Sequence, residues 1–261
     1  MAKPILFIHG AFSTGAVWDK MKPLFKAKGY AAITPTLFPE YRTRTGPNLD
    51  LSALTLHDYV EATVKTVRQI QKEYGEEPVI IGHSMGSLVA QKLAERNIGA
   101  AAVFITPSAP IDCAIQNPKT LFKLLNIVIA NNAHKSYKPW DFGASWGIFN
   151  RLAKDEHKKC IDDFVFESGQ VLHNLAYPDK DSHRIAIIDE TRIGIKTLTI
   201  GALHDRTCII ESVRKTGQKY ARVGGDYKEY SDAGHVITIE PTHIQLAEDI
   251  MAWIDAKQLS P

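Results

Sequence analysis

Short apolar runs alternate with amphipathic segments along most of this chain, and the alternation restricts the possible folds more than any other feature. Residues 5–8, 79–81 and 101–105 are apolar runs of strand length. Residues 56–74 place apolar side chains three or four positions apart, which predicts an amphipathic helix. Strands that alternate with helices predict an α/β fold with a mostly parallel central sheet flanked by helices.

A long segment interrupts the alternation before the last two predicted strands, at 197–200 and 227–230. Residues 110–190 carry mostly helical patterns, such as LFKLLNIVIA and KKCIDDFVFESGQVLHNL. Roughly 80 residues are too many for an ordinary loop and too few for a secure separate domain. We therefore expect a helical lid or cap at 110–190, inserted into a core made of residues 1–109 and 191–261.

Composition limits the partners of the chain. The 261 residues are 44% hydrophobic, enough to bury a large core. Lys and Arg number 31 and Asp and Glu 29, with a formal charge of +2 and no long run of either sign. This balance argues against nucleic acid or an anionic membrane as the main partner, and a small molecule remains the expected ligand. The sequence leaves the oligomeric state open.

The cysteines and the apolar runs limit the compartment and the cofactors. Cys113, Cys160 and Cys208 are far apart and form no CxxC pair, and no HExxH pattern occurs. We therefore predict no metal and no organic cofactor. No apolar run approaches the roughly 20 residues that a membrane span needs. The expected location is the cytoplasm.

The pentapeptide GHSMG, residues 82–86, directly follows the apolar run PVII. A sharp turn from strand to helix forces its apex residue into a strained backbone conformation, and glycines on either side remove side chains that would collide. Ser84 would then stand at the carboxyl end of a central strand, beside the N-terminus of the next helix. A serine hydroxyl is a weak nucleophile, so the chain must supply a base and a carboxylate.

Four segments together resemble the α/β-hydrolase superfamily, and in particular its compact serine esterases with a helical lid. They are FIHGAF at residues 7–12, GHSMG, TLTIGALHD ending at Asp205, and SDAGH ending at His235. The order Ser, Asp, His along the chain is the order of that fold. The resemblance implies that Ser84 is the nucleophile, His235 the base and Asp205 the acid that orients it.

The same resemblance implies an oxyanion hole formed by the backbone N–H groups of Ala11 and Met85, with Phe12 as the near alternative to Ala11. Two other histidines have plainer interpretations. His83 beside the nucleophile is expected to pack, and His9 to brace the oxyanion loop by hydrogen bonding.

The substrate pocket is harder to place. Phe12, Trp140 and Trp146 are candidates for its apolar lining, although lid aromatics more often pack the lid onto the core. Arg42 and Arg44 follow the second predicted strand and could bind a substrate carboxylate, although loop arginines are more often simply solvated.

The predicted reaction is hydrolysis of a small-molecule carboxylic ester through an acyl-enzyme. Hydrolysis of a carbon–carbon bond, a lactone or an amide, or acyl transfer, would use the same triad and stays open. A ligand-binding receptor on a hydrolase scaffold is a further alternative. Haloalkane dehalogenases and epoxide hydrolases carry Asp where this chain has Ser84, and hydroxynitrile lyases carry a lysine after the histidine, where this chain reads HVITIE.

Overall fold

A computed structural model describes residues 2–115, 126, 130 and 132–259. It contains a six-stranded sheet. The strands are β1 Pro4–Ile8, β2 Ala31–Ile33, β3 Val79–His83, β4 Ala101–Ile105, β7 Lys196–Ala202 and β8 Asp226–Tyr230. Their order in the sheet is β2-β1-β3-β4-β7-β8, and every neighbouring pair is parallel. The predicted mostly parallel sheet of an α/β fold is therefore confirmed.

Helices cover both faces of this sheet. Successive residues of a strand point to opposite faces, so each face carries apolar side chains that must be buried. On β1, Leu6 and Ile8 belong to one apolar core and Ile5 and Phe7 to the other. The helices outside the insertion are α1 Lys22–Ala27, α2 Leu49–Ala53, α3 Leu56–Tyr74, α4 Met85–Glu95, α8 Ile210–Ala221 and α9 His243–Ala256. Helices α3 and α4 pack on the first core, and α1 and α9 on the second.

The helix α3 illustrates how far local sequence determines this fold. Thr55 and Asp58 form a capping box at its N-terminus, and Gly75 ends it with a φ of 79°. Both signals satisfy backbone groups that a helix end leaves without a partner. Its bounds are the ones that the apolar periodicity predicts.

We use "the insertion" for residues 110–190, which lie between β4 and β7. Its described helices are α5 Asp141–Gly147, α6 Lys154–Asp162 and α7 Gly169–Ala176. It also contains a short antiparallel pair, β5 Ser136–Tyr137 and β6 Glu167–Ser168. The pattern KKCIDDFVFESGQVLHNL is thus not one helical stretch, because β6 separates two helices. The predicted helix LFKLLNIVIA falls almost wholly outside the described residues.

Strand β6 breaks the helical pattern for a physical reason. The side chains of Glu167 and Ser168 are fully buried, and both bind groups outside the insertion. Ser168 Oγ donates a hydrogen bond to the backbone oxygen of Leu54, and it also accepts from the first amides of α7. Polar contacts to the core therefore override the local helical preference.

Across the described part of the chain, none of the helices combines the length and the apolar character required to cross a bilayer.

Candidate active site

The turn between β3 and α4 holds Ser84 in a strained conformation. Its φ is 55° and its ψ is −120°, a region that non-glycine residues rarely occupy. Both glycines of GHSMG are sterically required. A Cβ on Gly82 would lie 2.3 Å from the backbone oxygen of Gly86, and one on Gly86 would lie 2.4 Å from that of Ile8. The core backbone itself therefore shapes this turn.

The three predicted triad side chains meet in one hydrogen-bonded chain. Ser84 Oγ lies 3.1 Å from His235 Nε2, and His235 Nδ1 lies 2.9 Å from Asp205 Oδ2. Asp205 follows β7 and His235 follows β8, so the carboxyl ends of neighbouring strands bring the side chains together. The other carboxylate oxygen of Asp205 accepts the backbone N–H groups of Thr207 and Cys208, at 2.6 and 2.9 Å.

Electrostatics separate the two histidines at this site. Burial lowers the pKa of His235, but the Asp205 carboxylate and its hydrogen bond outweigh burial and raise that pKa to about 9. Burial, and then His235 itself, lower the pKa of His83 to about 3. The neutral His83 ring donates to the backbone oxygen of His235 at 2.8 Å. Of these two histidines, His235 is the one with a ring nitrogen in hydrogen-bond range of Ser84 Oγ.

The loop after β1 presents two candidate oxyanion donors with different surroundings. The N–H of Phe12 donates to Glu167 Oε2 at 3.3 Å, and the φ of Phe12 is 62°. Ala11 and Met85 line the same cavity as Ser84. Among the described residues, neither of their N–H groups has an acceptor. The alternative donor, Phe12, is thus already engaged, whereas Ala11 is available.

The buried side chain of His9 stabilises the loop after β1 by hydrogen bonding. The N–H of Leu37 donates to His9 Nε2 at 3.0 Å, so the proton lies on Nδ1, which donates to the backbone oxygen of Gly10 at 2.8 Å. Burial, and then the nearby Arg42, lower the pKa of His9 to about 3. A neutral His9 therefore fixes the peptide group that contains the Ala11 N–H.

Comparison with known proteins identifies the family of this chain. The model of the alpha/beta hydrolase family matches residues 5–244. The chain belongs to the alpha/beta hydrolase family. A pyrethroid hydrolase from Sphingobium wenxiniae is 28% identical over 116 residues, which span 44% of this chain and 39% of that relative.

Solved structures of other alpha/beta hydrolases share the fold. The monoacylglycerol lipase of Paleococcus ferrophilus has a TM-score of 0.67 at 19% identity, covering 96% of this chain and 93% of that one. An esterase from Thermogutta terrifontis has a TM-score of 0.67 at 15% identity, covering 100% of this chain and 92% of that one. At these identities the likeness concerns the fold.

In this alpha/beta hydrolase, a cavity of about 1010 Å³ opens beside Ser84 and His235. Its wall is largely apolar and comes from both the core and the insertion. Apolar residues of the wall include Phe12, Met85, Ile148, Phe149, Phe164, Leu172 and Val236. Of the three residues predicted to line a substrate pocket, Phe12 lies in this wall.

Trp140 and Trp146, the other two predicted pocket residues, lie outside the described cavity wall. The Trp146 ring lies 5.0 Å from the Arg206 guanidinium, and the Trp140 ring contacts Phe142, with ring centroids 5.4 Å apart. Among the described residues of the insertion, the phenylalanine and tyrosine side chains that line the cavity are Tyr137, Phe149, Phe164 and Tyr177.

The two loop arginines lie in different environments. Arg42 is absent from the described cavity wall, and its buried guanidinium forms an ion pair with Glu167 at 3.2 Å. Arg44 is exposed, pairs with Asp163 at 3.1 Å and borders the cavity. Little in the sequence marks Glu167, a carboxylate within the run FVFESG of a segment predicted to be helical.

One cluster in the described part of the chain has donor atoms close enough for a metal ion. The donor atoms of Asp205, Cys208 and His235 lie within 4.8 Å of one another. Thiolate, imidazole and carboxylate are ligands of Zn²⁺. In this structure Asp205 and His235 instead bind each other. A metal there would have to replace the Nδ1 proton of His235, so it would compete with the triad.

Proposed function

We propose that this alpha/beta hydrolase is a serine esterase that cleaves small-molecule carboxylic esters through an acyl-enzyme. The observation that carries the proposal is the chain Ser84 Oγ, His235, Asp205 at a strained turn that opens into a cavity. A nucleophile, a base and an orienting carboxylate at these distances meet the geometric requirements of acyl transfer.

The first half of the reaction acylates Ser84. Ser84 Oγ attacks the ester carbonyl carbon while His235 Nε2 takes the hydroxyl proton. The N–H groups of Ala11 and Met85 donate to the oxyanion, and Asp205 stabilises the imidazolium. The tetrahedral intermediate then collapses, and His235 gives the proton to the departing alcohol.

The second half repeats these roles with water. His235 removes a proton from water, the hydroxyl attacks the acyl carbon, and the second intermediate releases the carboxylic acid as Ser84 regains its proton. Because Asp205 raises the pKa of His235, the neutral imidazole is a stronger base toward these protons. No step requires a cofactor.

The apolar wall and the names of similar proteins favour an ester with apolar substituents. A pyrethroid hydrolase, a monoacylglycerol lipase and an esterase are among the similar proteins. A largely apolar cavity of this volume suits an uncharged acyl or alcohol group. Carbon–carbon, lactone and amide hydrolysis use the same attack and are tested by substrate panels. A receptor role would not need the hydrogen-bonded triad.

The decisive experiment compares wild type with Ser84→Ala on p-nitrophenyl butyrate and p-nitrophenyl laurate, together with covalent labelling by a fluorophosphonate. Ser231→Ala, an exposed serine in the His235 loop, is the matched control. We expect turnover and labelling in wild type and in the control, and neither in Ser84→Ala. A wild-type protein that neither turns over these esters nor takes the label would refute the proposal.

A further inference from the structure

Residues of the insertion form hydrogen bonds with both the backbone N–H and the backbone oxygen of Phe12. The backbone N–H of Val165 donates to the Phe12 oxygen at 3.0 Å, and the Phe12 N–H donates to Glu167 Oε2 at 3.3 Å. Between them, the N–H of Phe166 donates to the oxygen of Thr43 at 2.9 Å. Val165 and Glu167 thus bind the loop after β1, and Phe166 between them binds the loop after β2.

Glu167 is buried and hydrogen-bonded, unlike a solvated surface carboxylate. Its side chain is fully buried, and it accepts hydrogen bonds from Arg42, from the Tyr59 hydroxyl and from the N–H of Ser168. Burial of an ionised carboxylate is costly unless such partners compensate it. The Arg42 guanidinium supplies the opposite charge at 3.2 Å, and its own side chain is 1% exposed.

Two successive peptide groups around Ala11 are fixed. His9 fixes the peptide that contains the Ala11 N–H, because the Gly10 oxygen that it binds belongs to that same peptide. Glu167 fixes the next peptide, which contains the Phe12 N–H. With both peptide planes fixed, the Ala11 N–H has a defined direction, and the φ of 62° at Phe12 is maintained.

We propose that Glu167 is a positioning residue for the oxyanion hole, which acts through the Ala11–Phe12 peptide to keep the Ala11 N–H directed at the reacting oxygen. This inference rests on the proposed esterase function. Glu167 also removes the Phe12 N–H as a competing donor. Arg42 neutralises the carboxylate, so that its charge does not oppose the developing oxyanion.

The test uses the full chain with Arg42→Met and Glu167→Met combined. The double variant removes the acceptor of the Phe12 N–H without leaving a buried charge unpaired, and apolar replacement of buried ion pairs is often tolerated. The control, Lys219→Met with Glu190→Met, removes another largely buried ion pair, with atoms 2.7 Å apart, far from the loop in sequence. Active sites are counted by fluorophosphonate titration before kinetics on p-nitrophenyl butyrate.

We expect kcat per titrated site to fall about 10- to 100-fold in the Arg42/Glu167 variant, with KM within about threefold of wild type. The fall should be smaller than the full loss of an oxyanion donor, which lowers kcat about 10²- to 10³-fold. Affinity for an aliphatic trifluoromethyl ketone should fall by the same factor. That probe forms a bond from Ser84 Oγ to its carbonyl carbon, generates an oxyanion and passes the serine proton to His235. The control should lose stability and keep both quantities.

A folded Arg42/Glu167 variant that keeps kcat and ketone affinity within about twofold of wild type would overturn the inference and leave the esterase proposal standing. Absence of wild-type turnover would instead remove the esterase proposal. Should the double variant not fold, Glu167→Gln replaces it, because the amide retains the volume and one acceptor. We then expect at least about a threefold fall in kcat at unchanged KM, and an unchanged kcat would overturn the inference.

Discussion

The two sides of the candidate active site are held by different means. The nucleophile turn at residues 82–86 is shaped by backbone atoms of the core, since added Cβ atoms would meet carbonyl oxygens within 2.4 Å. The oxyanion loop at residues 9–12 is held by side chains, including Glu167 at a separation of 155 positions. One side therefore depends on the packing of backbone atoms, including those of β1, and the other depends on side chains that include one from the insertion.

The largest expected effect concerns the nucleophile side. Asp205→Asn should lower kcat about 10⁴-fold, because the amide cannot hold His235 in the tautomer that accepts the Ser84 proton. The control is Asp232→Asn, an exposed carboxylate three residues before His235 that pairs with Arg151. It should retain wild-type kcat. Ester-hydrolysis kinetics test both variants, and equal losses would contradict the assignment of Asp205.

Steric restriction at the same turn predicts the next effect. Gly86→Ala should lower the free energy of unfolding by about 3 kcal/mol or more, since its Cβ would meet the Ile8 and His9 oxygens at 2.4 and 2.5 Å. Gly46→Ala, with no atom within 4 Å of the added Cβ, is the control. Urea unfolding measures both. An unaltered midpoint for Gly86→Ala would mean that the core backbone yields easily there.

On the oxyanion side, Arg42→Met alone should be destabilising by about 3 kcal/mol, because Glu167 is left buried without its cation. Arg44→Met breaks an exposed pair, with side chains 61% and 52% exposed, and should change the unfolding midpoint very little. The comparison again uses urea unfolding. Similar small changes in both variants would show that the oxyanion loop does not depend on a buried ion pair.

The smallest expected effect follows from a change of pH, with the sequence left unaltered. Only neutral His235 can take the Ser84 proton, and Asp205 raises the pKa of His235 to about 9. Therefore kcat/KM should rise with pH, up to tenfold per unit below the pKa, and level off above about pH 9. His9 and His83, with pKa values of about 3, stay neutral throughout. A plateau already reached at pH 7 would contradict this.

Sequence reasoning succeeded where structure follows from neighbouring residues. The helix at 56–74 carries its own caps, and the strand alternation predicts the parallel sheet. The segments containing Ser84, Asp205 and His235 each follow a strand, so their side chains were expected to converge, and the structure does bring them into hydrogen-bond range.

Sequence reasoning failed where contacts between distant segments decide the outcome. Glu167 stands in a run with a helical pattern, and only the tertiary structure buries it against Arg42. Arg42 had the same sequence signature as the exposed Arg44, and nothing local separates them. The indoles of Trp140 and Trp146 fit an apolar pocket by type, yet neither belongs to the described cavity wall. Burial and orientation of these side chains are properties of the tertiary structure.

The dependence of the oxyanion loop on residues 165–167 has a consequence for protein engineering. A chimera that exchanges the insertion for that of another hydrolase leaves GHSMG and the triad residues intact, yet it deletes the acceptor of the Phe12 N–H and the counter-ion of Arg42. Such grafts should restore a glutamate at position 167, so that it meets the Arg42 and Tyr59 that the core retains. Libraries meant to alter substrate range through the insertion should leave position 167 unvaried.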